Sequence, residues 1–325
     1  MKIIFFGTPS FAANNLRYLI DSQYEIVGVV TPPDSKKGRG KDLKNCAVKE
    51  VALEKNIPVL QPERLRSSEF VSALKVLQAE LFVVVAFRML PEIVWEIPSK
   101  GTINLHTSLL PKYRGAAPIN RVLINGEKET GISTFFIDNN IDSGPIIQQS
   151  RVKITNKTTA GQLHEILVDK SNDLLVSTIN SIKDNSVEQR QQSDKVIIDA
   201  PKLTKELLKI NWNKSAVDIH NLVRGLSPFI DENTMLKDVA ICPSAWFFLE
   251  EKYVNKKRIK LHLTEVVKSE SINPLTIKTD NKTYLHIITN KDAISILNLQ
   301  VEGKKPMTIQ KFLQGRKINK DHKIA

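Results

Sequence analysis

The chain opens on a short apolar run, Lys2-Ile3-Ile4-Phe5-Phe6, which stops at Gly7-Thr8-Pro9. Apolar residues then recur at helical spacing from Ser10 to Ile20, and a second strand-like run follows at Tyr24-Glu25-Ile26-Val27-Gly28-Val29-Val30. Strand, turn, helix, strand is a βαβ opening, which predicts a parallel sheet covered on both faces. Leu81-Phe82-Val83-Val84-Val85-Ala86 is apolar without alternation. That is the pattern of a strand buried on both sides. Residues 102–106 and 132–137 supply two further strands, and 159–183 reads as a long helix.

Past residue 185 the pattern changes. Residues 185–204 are polar and read as a linker, and 204–208 and 215–225 as helices. From about 258 the apolar segments are short and broken by turns, at 258–266, 274–279, 283–289 and 293–301. Such spacing predicts a small antiparallel barrel or sandwich. The tail from Lys304 to Lys323 is basic and in part helical. The expected organisation is an α/β domain over 1–185, a linker over 186–204 and a β-rich domain over 205–325.

Composition narrows the partners. The 325 residues are 41% hydrophobic and 25% charged, which suits folded, soluble domains rather than disorder. The net charge is +12, and residues 205–325 hold 21 of the 47 basic but only 13 of the 35 acidic residues. Two thirds of the excess thus sits in the last third of the chain. Basic charge on an ordered domain points to a polyanion such as RNA, whose phosphates attract it irrespective of sequence. Cys46 and Cys242 have no CxxC spacing, so neither a disulfide framework nor a zinc site is expected. The apolar start is too short for a signal peptide, and no run approaches a membrane span. A cytoplasmic protein is expected, and nothing demands more than a monomer. GxGxxG and GxxxxGK[ST] are both absent, which argues against a nicotinamide cofactor and a P-loop.

The candidate chemistry lies between Gly101 and Ile147. Asn104 and His106 stand two apart in Thr102-Ile103-Asn104-Leu105-His106 and so share one face of a strand. They fall at its end, where ligands bind in open α/β sheets. Asp142 follows a later strand and precedes Ser143-Gly144-Pro145. An amide donor, an imidazole and a carboxylate suit acyl transfer to an amine. Asn104 and a protonated His106 could stabilise the oxygen of the attacked carbonyl, and Asp142 could take up a proton or orient His106. An amine is itself a nucleophile, so no acyl-enzyme is needed. Taken alone, though, Asn-x-His at a strand end is more often a satisfied polar pair than a catalytic one, and Asp142 in Asp-Ser-Gly more often a turn residue.

The run Asn104-Leu105-His106-Thr107-Ser108-Leu109-Leu110-Pro111-Lys112-Tyr113-Arg114-Gly115-Ala116-Ala117-Pro118-Ile119, with Asp142-Ser143-Gly144 after it, resembles the signature of the folate-dependent formyltransferases. Met1–Pro9, Pro33–Lys41, Ala200-Pro201-Lys202-Leu203-Thr204 and Arg224-Gly225-Leu226-Ser227-Pro228 are similar to the members that act on charged tRNA. The resemblance implies a Rossmann-like, mostly parallel sheet with a C-terminal, OB-like β-barrel that binds tRNA. It also implies transfer of the formyl group of 10-formyltetrahydrofolate to the amino group of methionyl-tRNA, without a metal. It casts Asn104, His106 and Asp142 as the catalytic set. Ser108, Leu109, Leu110, Pro111, Phe87, Arg88, Met89 and Leu90 would border the folate site. Lys36, Lys37, Arg39 and Lys41 would lie in a loop that holds the tRNA acceptor end. Without the resemblance, that loop reads as a solvated charge run.

Two departures stand out. Phe87-Arg88 replaces the family's aromatic-Gly pair, in a segment one residue shorter, and an insertion separates Phe229 from Pro243. The same catalytic domain could instead serve glycinamide ribonucleotide or an amino sugar nucleotide. Neither of those explains both the basic second domain and the 34–44 loop. A catalytically silent RNA-binding protein or a formyl hydrolase are the readings from other classes.

Overall fold

The computed structural model describes every residue except 38–41, 194–197, 238–240, 252–253, 271–272 and 320. The chain divides into two units. The first comprises Met1–Gly115, Gly131–Val152 and Ile166–Asp199, the second Ala116–Thr130, Lys153–Glu165 and Ala200–Ala325.

In chain order the elements begin β1 (Lys2–Gly7), α1 (Ser10–Asp21), β2 (Glu25–Val30), β3 (Ser35–Lys37), β4 (Asp42–Lys44), α2 (Ala47–Glu54) and β5 (Val59–Leu60). Next come α3 (Ser68–Val76), β6 (Leu81–Val85), α4 (Glu92–Trp95), β7 (Thr102–His106), α5 (Pro118–Ile124), β8 (Glu129–Phe136), β9 (Ile146–Lys153) and α6 (Ala160–Lys183). The main sheet runs β5-β2-β1-β6-β7-β8-β9. The first five strands in that order pair in parallel, and β8 runs antiparallel to β7. β6, the run without alternation, is buried along its whole length at the centre of the sheet. It ends one residue before the apolar run does, because Ala86 turns to φ +49°. On one face Ile4, Phe6, Phe82 and Val84 pack with Phe70, Leu74, Leu90 and Val94. Each such side chain contributes about 1.5–3 kcal/mol by burial.

The parallel register puts the C-terminal ends of three strands side by side: Gly7 lies opposite Val85, and Val85 opposite Leu105. The segments that leave this edge are Gly7-Thr8-Pro9, Ala86–Leu90 and His106–Gly115. Three of the loops picked out from the sequence therefore share one rim.

The second unit adds α7 (Lys205–Leu208), α8 (Ala216–Leu226), β10 (Ala245–Glu251), β11 (Val254–Val267), β12 (Ile277–Thr279) and β13 (Leu285–Ile288). It ends with β14 (Ala293–Val301), β15 (Met307–Thr308), α9 (Ile309–Gln314) and β16 (His322–Ile324). Its sheet is antiparallel, barrel-like and nearly closed, in the order β12-β13-β14-β11-β10-β16 with β15 on β14. A side-chain amide links the two ends of that path. Asn281, just past β12, donates to the Ile318 carbonyl at 3.0 Å and accepts from its N–H at 2.7 Å. Helix α8 starts at a capping box of Ser215 and Asp218 and buries Ala216, Ile219, Val223 and Leu226 in the barrel's apolar interior. Gly225 lets α5 approach α8: a Cβ there would come within 2.7 Å of Ile124. Buried Arg224 ties the same helix down through the carbonyls of Thr155 (3.2 Å) and Thr158 (3.3 Å).

His262 on β11 is buried beside Ser244 and Phe229. Burial, reinforced by Lys260, pushes its imidazole down to about 4 from its ordinary 6.5. Below pH 6.5 the unfolded chain therefore takes up a proton that the folded chain refuses, and stability falls as the pH drops. Urea unfolding at pH 4.5 should show about 2–3 kcal/mol less stability than at pH 7 from this group. His262→Gln should lose that part of the difference. An unchanged pH dependence in the variant would assign it to other groups.

Candidate active site

β7 carries Asn104 and His106 on one face, as the two-residue spacing requires. The loop after β8 folds back so that Asp142 meets both. Asn104 Nδ2 lies 3.5 Å from Asp142 Oδ1, and His106 Nδ1 lies 3.7 Å from Asp142 Oδ2. Both side chains are nearly out of solvent, with His106 8% and Asp142 15% exposed. Water screens them little.

Each group has a second partner that sets its chemistry. His106 Nε2 lies 2.8 Å from the Tyr113 carbonyl oxygen. A carbonyl only accepts, so Nε2 carries the hydrogen, and Nδ1 is the nitrogen that faces Asp142. Asp142 Oδ2 accepts from the Gly115 N–H at 2.9 Å. One loop thus supplies a contact to the imidazole and another to the carboxylate. Its bends at Tyr113 (φ +62°) and Gly115 (φ +119°) aim them.

The Asp142 turn is tightly built. Asp142 itself takes φ +52°, a region that Asp tolerates better than most residues. Gly144 packs where a Cβ would overlap the carbonyl oxygen of Phe136. The Gln192 amide donates to the carbonyls of Asp142 (2.9 Å) and Gly144 (2.8 Å), and Arg114 donates to Gln192 Oε1. Gln192 comes from the stretch read as a linker. Arg190 in that stretch exchanges two backbone hydrogen bonds with Ile146, at 2.8 and 2.9 Å.

Known proteins resemble the chain over its whole length. The formyl transferase family model matches residues 1–179, and the model of the formyl transferase C-terminal domain matches residues 202–317. The chain belongs to the formyltransferase family. It is 39% identical to the methionyl-tRNA formyltransferase of Bacteroides thetaiotaomicron over all of this chain and 98% of that protein. It is 41% identical to that of Flavobacterium johnsoniae, over 100% and 99%, and 43% identical to that of Clostridium perfringens, over 98% of each. Among solved structures, a sugar 3N-formyl transferase crystallised with dTDP and 5-N-formyl-THF shares the fold. Its TM-score is 0.62 and its identity 22%, over 94% of this chain and 99% of that one. HypX from Aquifex aeolicus in complex with tetrahydrofolic acid gives 0.59 and 14%, over 99% and 50%.

In this formyltransferase the remaining residues picked from the sequence fall as follows. Ser108 to Pro111 form the loop that leaves β7, with a cis Leu110–Pro111 bond. Ser108 Oγ donates to the Lys112 carbonyl at 2.7 Å, and Leu110 packs on Phe135 and Ile146. Leu109 fits against Gly131, where a Cβ would crowd it at 2.6 Å. Ser133, opposite His106 on β8, braces the loop by accepting from Leu110 N–H (3.1 Å) and donating to the Ser108 carbonyl (2.7 Å). Leu90 is buried, Phe87 packs edge-on to Phe6, Met89 is exposed, and Arg88 donates to the carbonyls of Pro62 and Glu63.

Lys36 and Lys37 lie on β3, which pairs with β4 as a hairpin, while Arg39 and Lys41 fall outside the described residues. At the hairpin's base Asp34, Lys49 and Gln61 form a closed polar cluster. The hydrogen bond from Lys49 holds the Asp34 carboxyl below its ordinary range.

Sequence reasoning missed Tyr113, Gly115, Ser133 and Gln192 as parts of the site. Gly115 stood inside the signature run and could have been read as a turn. Gln192 lies in a polar stretch 50 residues from Asp142 and carried no signal.

Gly144→Ala should destabilise the first unit by at least ~2 kcal/mol and disturb the Asp142 turn, because its Cβ meets backbone. The check is a thermal unfolding midpoint together with formyl-transfer activity. A variant matching the parent in both would show that the turn has room for a side chain.

Proposed function

We propose that the chain transfers the formyl group of 10-formyltetrahydrofolate to the free amino group of methionyl-tRNA, yielding N-formylmethionyl-tRNA for translation initiation. The observation that carries the chemistry is the convergence of Asn104, His106 and Asp142, with the carboxylate 3.5 Å from the amide and 3.7 Å from the imidazole. Full-length similarity to proteins named for that activity supports the substrate pair.

The amine nitrogen attacks the formyl carbon, a new C–N bond forms, and the bond to the folate nitrogen breaks. Between the two events the formyl oxygen carries negative charge. Asn104 Nδ2 has two hydrogens and directs one toward Asp142, so the other can reach that oxygen. The amine must lose one proton and the departing folate nitrogen must gain one. His106 Nδ1 and Asp142 together form the relay, since Nε2 is committed to the Tyr113 carbonyl.

Ser108 to Pro111 and Phe87 to Leu90 leave the rim beside this set, and we assign them to the folate site. Lys36, Lys37, Arg39 and Lys41 are assigned to the tRNA acceptor end. The domain over 205–325 offers a further surface for the tRNA. On β10, Ala245, Phe247 and Leu249 are buried, while Trp246 and Phe248 alternate with them on the other face. Lys256 lies 4.7 Å and Lys209 5.9 Å from the Phe248 ring centre, with Arg258 5.9 Å from that of Trp246. Cations beside half-exposed aromatics suit a phosphate backbone and unpaired bases. The chain is read as a cytoplasmic monomer; among the described residues no helix is long and apolar enough to cross a membrane.

A formyl-transfer assay comparing methionyl-tRNA with small amines tests the assignment, and preference for the small amines would overturn it. His106→Ala should lower turnover at least ~10-fold, and Asn104→Ala by on the order of 10²–10³, with folding intact. Neutralising Lys36 and Lys37, or Arg39 and Lys41, should weaken methionyl-tRNA binding. It should also flatten the salt dependence of binding, by about one unit of slope for each phosphate left unneutralised. Folate binding should hardly change. Unaltered tRNA binding at every salt concentration would remove the loop from the tRNA site.

A further inference from the structure

We propose that Gln192 is a positioning residue for the reaction, holding the Asp142 carboxylate in register with His106 and Asn104. This rests on Asp142 taking part in the transfer. Gln192 is reached from the backbone bridge between Arg190 and Ile146, and it uses both ends of its amide. Its Nε2 donates to the carbonyls of Asp142 and Gly144, at 2.9 and 2.8 Å, and so spans the turn. Its Oε1 accepts from Arg114 Nε at 3.1 Å and Nη2 at 2.8 Å.

Arg114 immediately precedes Gly115, the residue whose N–H holds Asp142 Oδ2 at 2.9 Å. One side chain therefore links the turn that carries the carboxylate to the loop that grips it. That same loop presents Tyr113 to His106. The cross-brace matters because Asp142 sits at φ +52° and its two partners on β7 contact it weakly, at 3.5 and 3.7 Å. Neither of those two contacts is short enough to hold the turn by itself. A displacement of about 1 Å in a reacting group can cost on the order of 10² in rate.

The amide is the group this place requires. A donor with two hydrogens serves two carbonyls, and an acceptor with two lone pairs serves a guanidinium. Glutamate would keep the Arg114 contact but press a carboxylate against two carbonyl oxygens.

The test is steady-state kinetics with methionyl-tRNA and 10-formyltetrahydrofolate for Gln192→Ala, Gln192→Glu, Asp142→Asn and the double variant Gln192→Ala/Asp142→Asn. Gln192→Ala should lower kcat about 10- to 100-fold and leave the KM of each substrate within about threefold. Gln192→Glu should do no better. On the Asp142→Asn background, Gln192→Ala should add less than about twofold, because its effect runs through a group already removed. Should Gln192→Ala fail to fold, Gln192→Met fills the same volume without the hydrogen bonds and replaces it. Losses that multiply in the double variant, a rise in KM at unchanged kcat, or parental kcat in Gln192→Glu would each overturn the proposal. A fully active Asp142→Asn would instead remove Asp142 from the mechanism, and this role of Gln192 with it.

Discussion

A carboxylate on a loop stays where its hydrogen bonds and its backbone hold it, and everything about this site depends on where Asp142 is held. Asn104 and His106 ride on a central β-strand and have little freedom. Asp142 arrives on a turn 36 residues beyond His106 and must be brought to them. The Gly115 N–H grips one oxygen, Gly144 lets the turn press against Phe136, and Gln192 ties the turn's carbonyls to the neighbouring loop. The hydrogen bond from His106 Nε2 to the Tyr113 carbonyl then turns Nδ1 toward the carboxylate. In the proposed mechanism these contacts hold the relay in place, so that it needs no reordering at the moment of reaction.

The sheet supplies the rigidity that such a site needs. Parallel pairing of β1, β6 and β7 places three C-terminal ends in adjacent register, so their loops are neighbours by construction. Burial of β6 on both faces and the packing of Phe6 and Phe82 keep that rim fixed. β8 adds Ser133 directly opposite His106, where it satisfies two backbone groups of the loop after β7. The antiparallel unit works by different means. Its apolar interior is shared by α8 and the barrel strands, and the Asn281 amide spans the ends of the strand path in place of a backbone pair.

The second unit also shows why charge alone is a coarse guide. The excess of basic residues says that a polyanion is attracted, but not where. The arrangement of Trp246, Phe248, Lys209, Lys256 and Arg258 depends on strand alternation in β10 and on its pairing with β11. Lys209 joins them because the backbone beside α7 bridges to Trp246.

Much of this was legible in the residues themselves. The βαβ opening, the buried run at 81–86, the helix at 159–183, the β-rich end and the Asn104–His106 pair all follow from local periodicity, which a chain shows wherever it folds. The resemblance around residues 104–119 and 142–144 added the family and favoured a catalytic reading of Asn104, His106 and Asp142 over a structural one. The strand at 146–153 and the small hairpin of β3 and β4 are not legible there, because their apolar positions are few or irregular. Helices α2 and α3 do carry helical spacing, at Val48, Val51 and Ala52 and at Phe70, Val71 and Leu74, but are too short to stand out. Only the tertiary structure decided which polar groups brace the site. Tyr113 and Gly115 act through their own backbone, and Ser133 and Gln192 bind backbone groups of other residues, which are the same in every residue. Their meaning therefore lies in distance and direction, which exist only once the chain has folded.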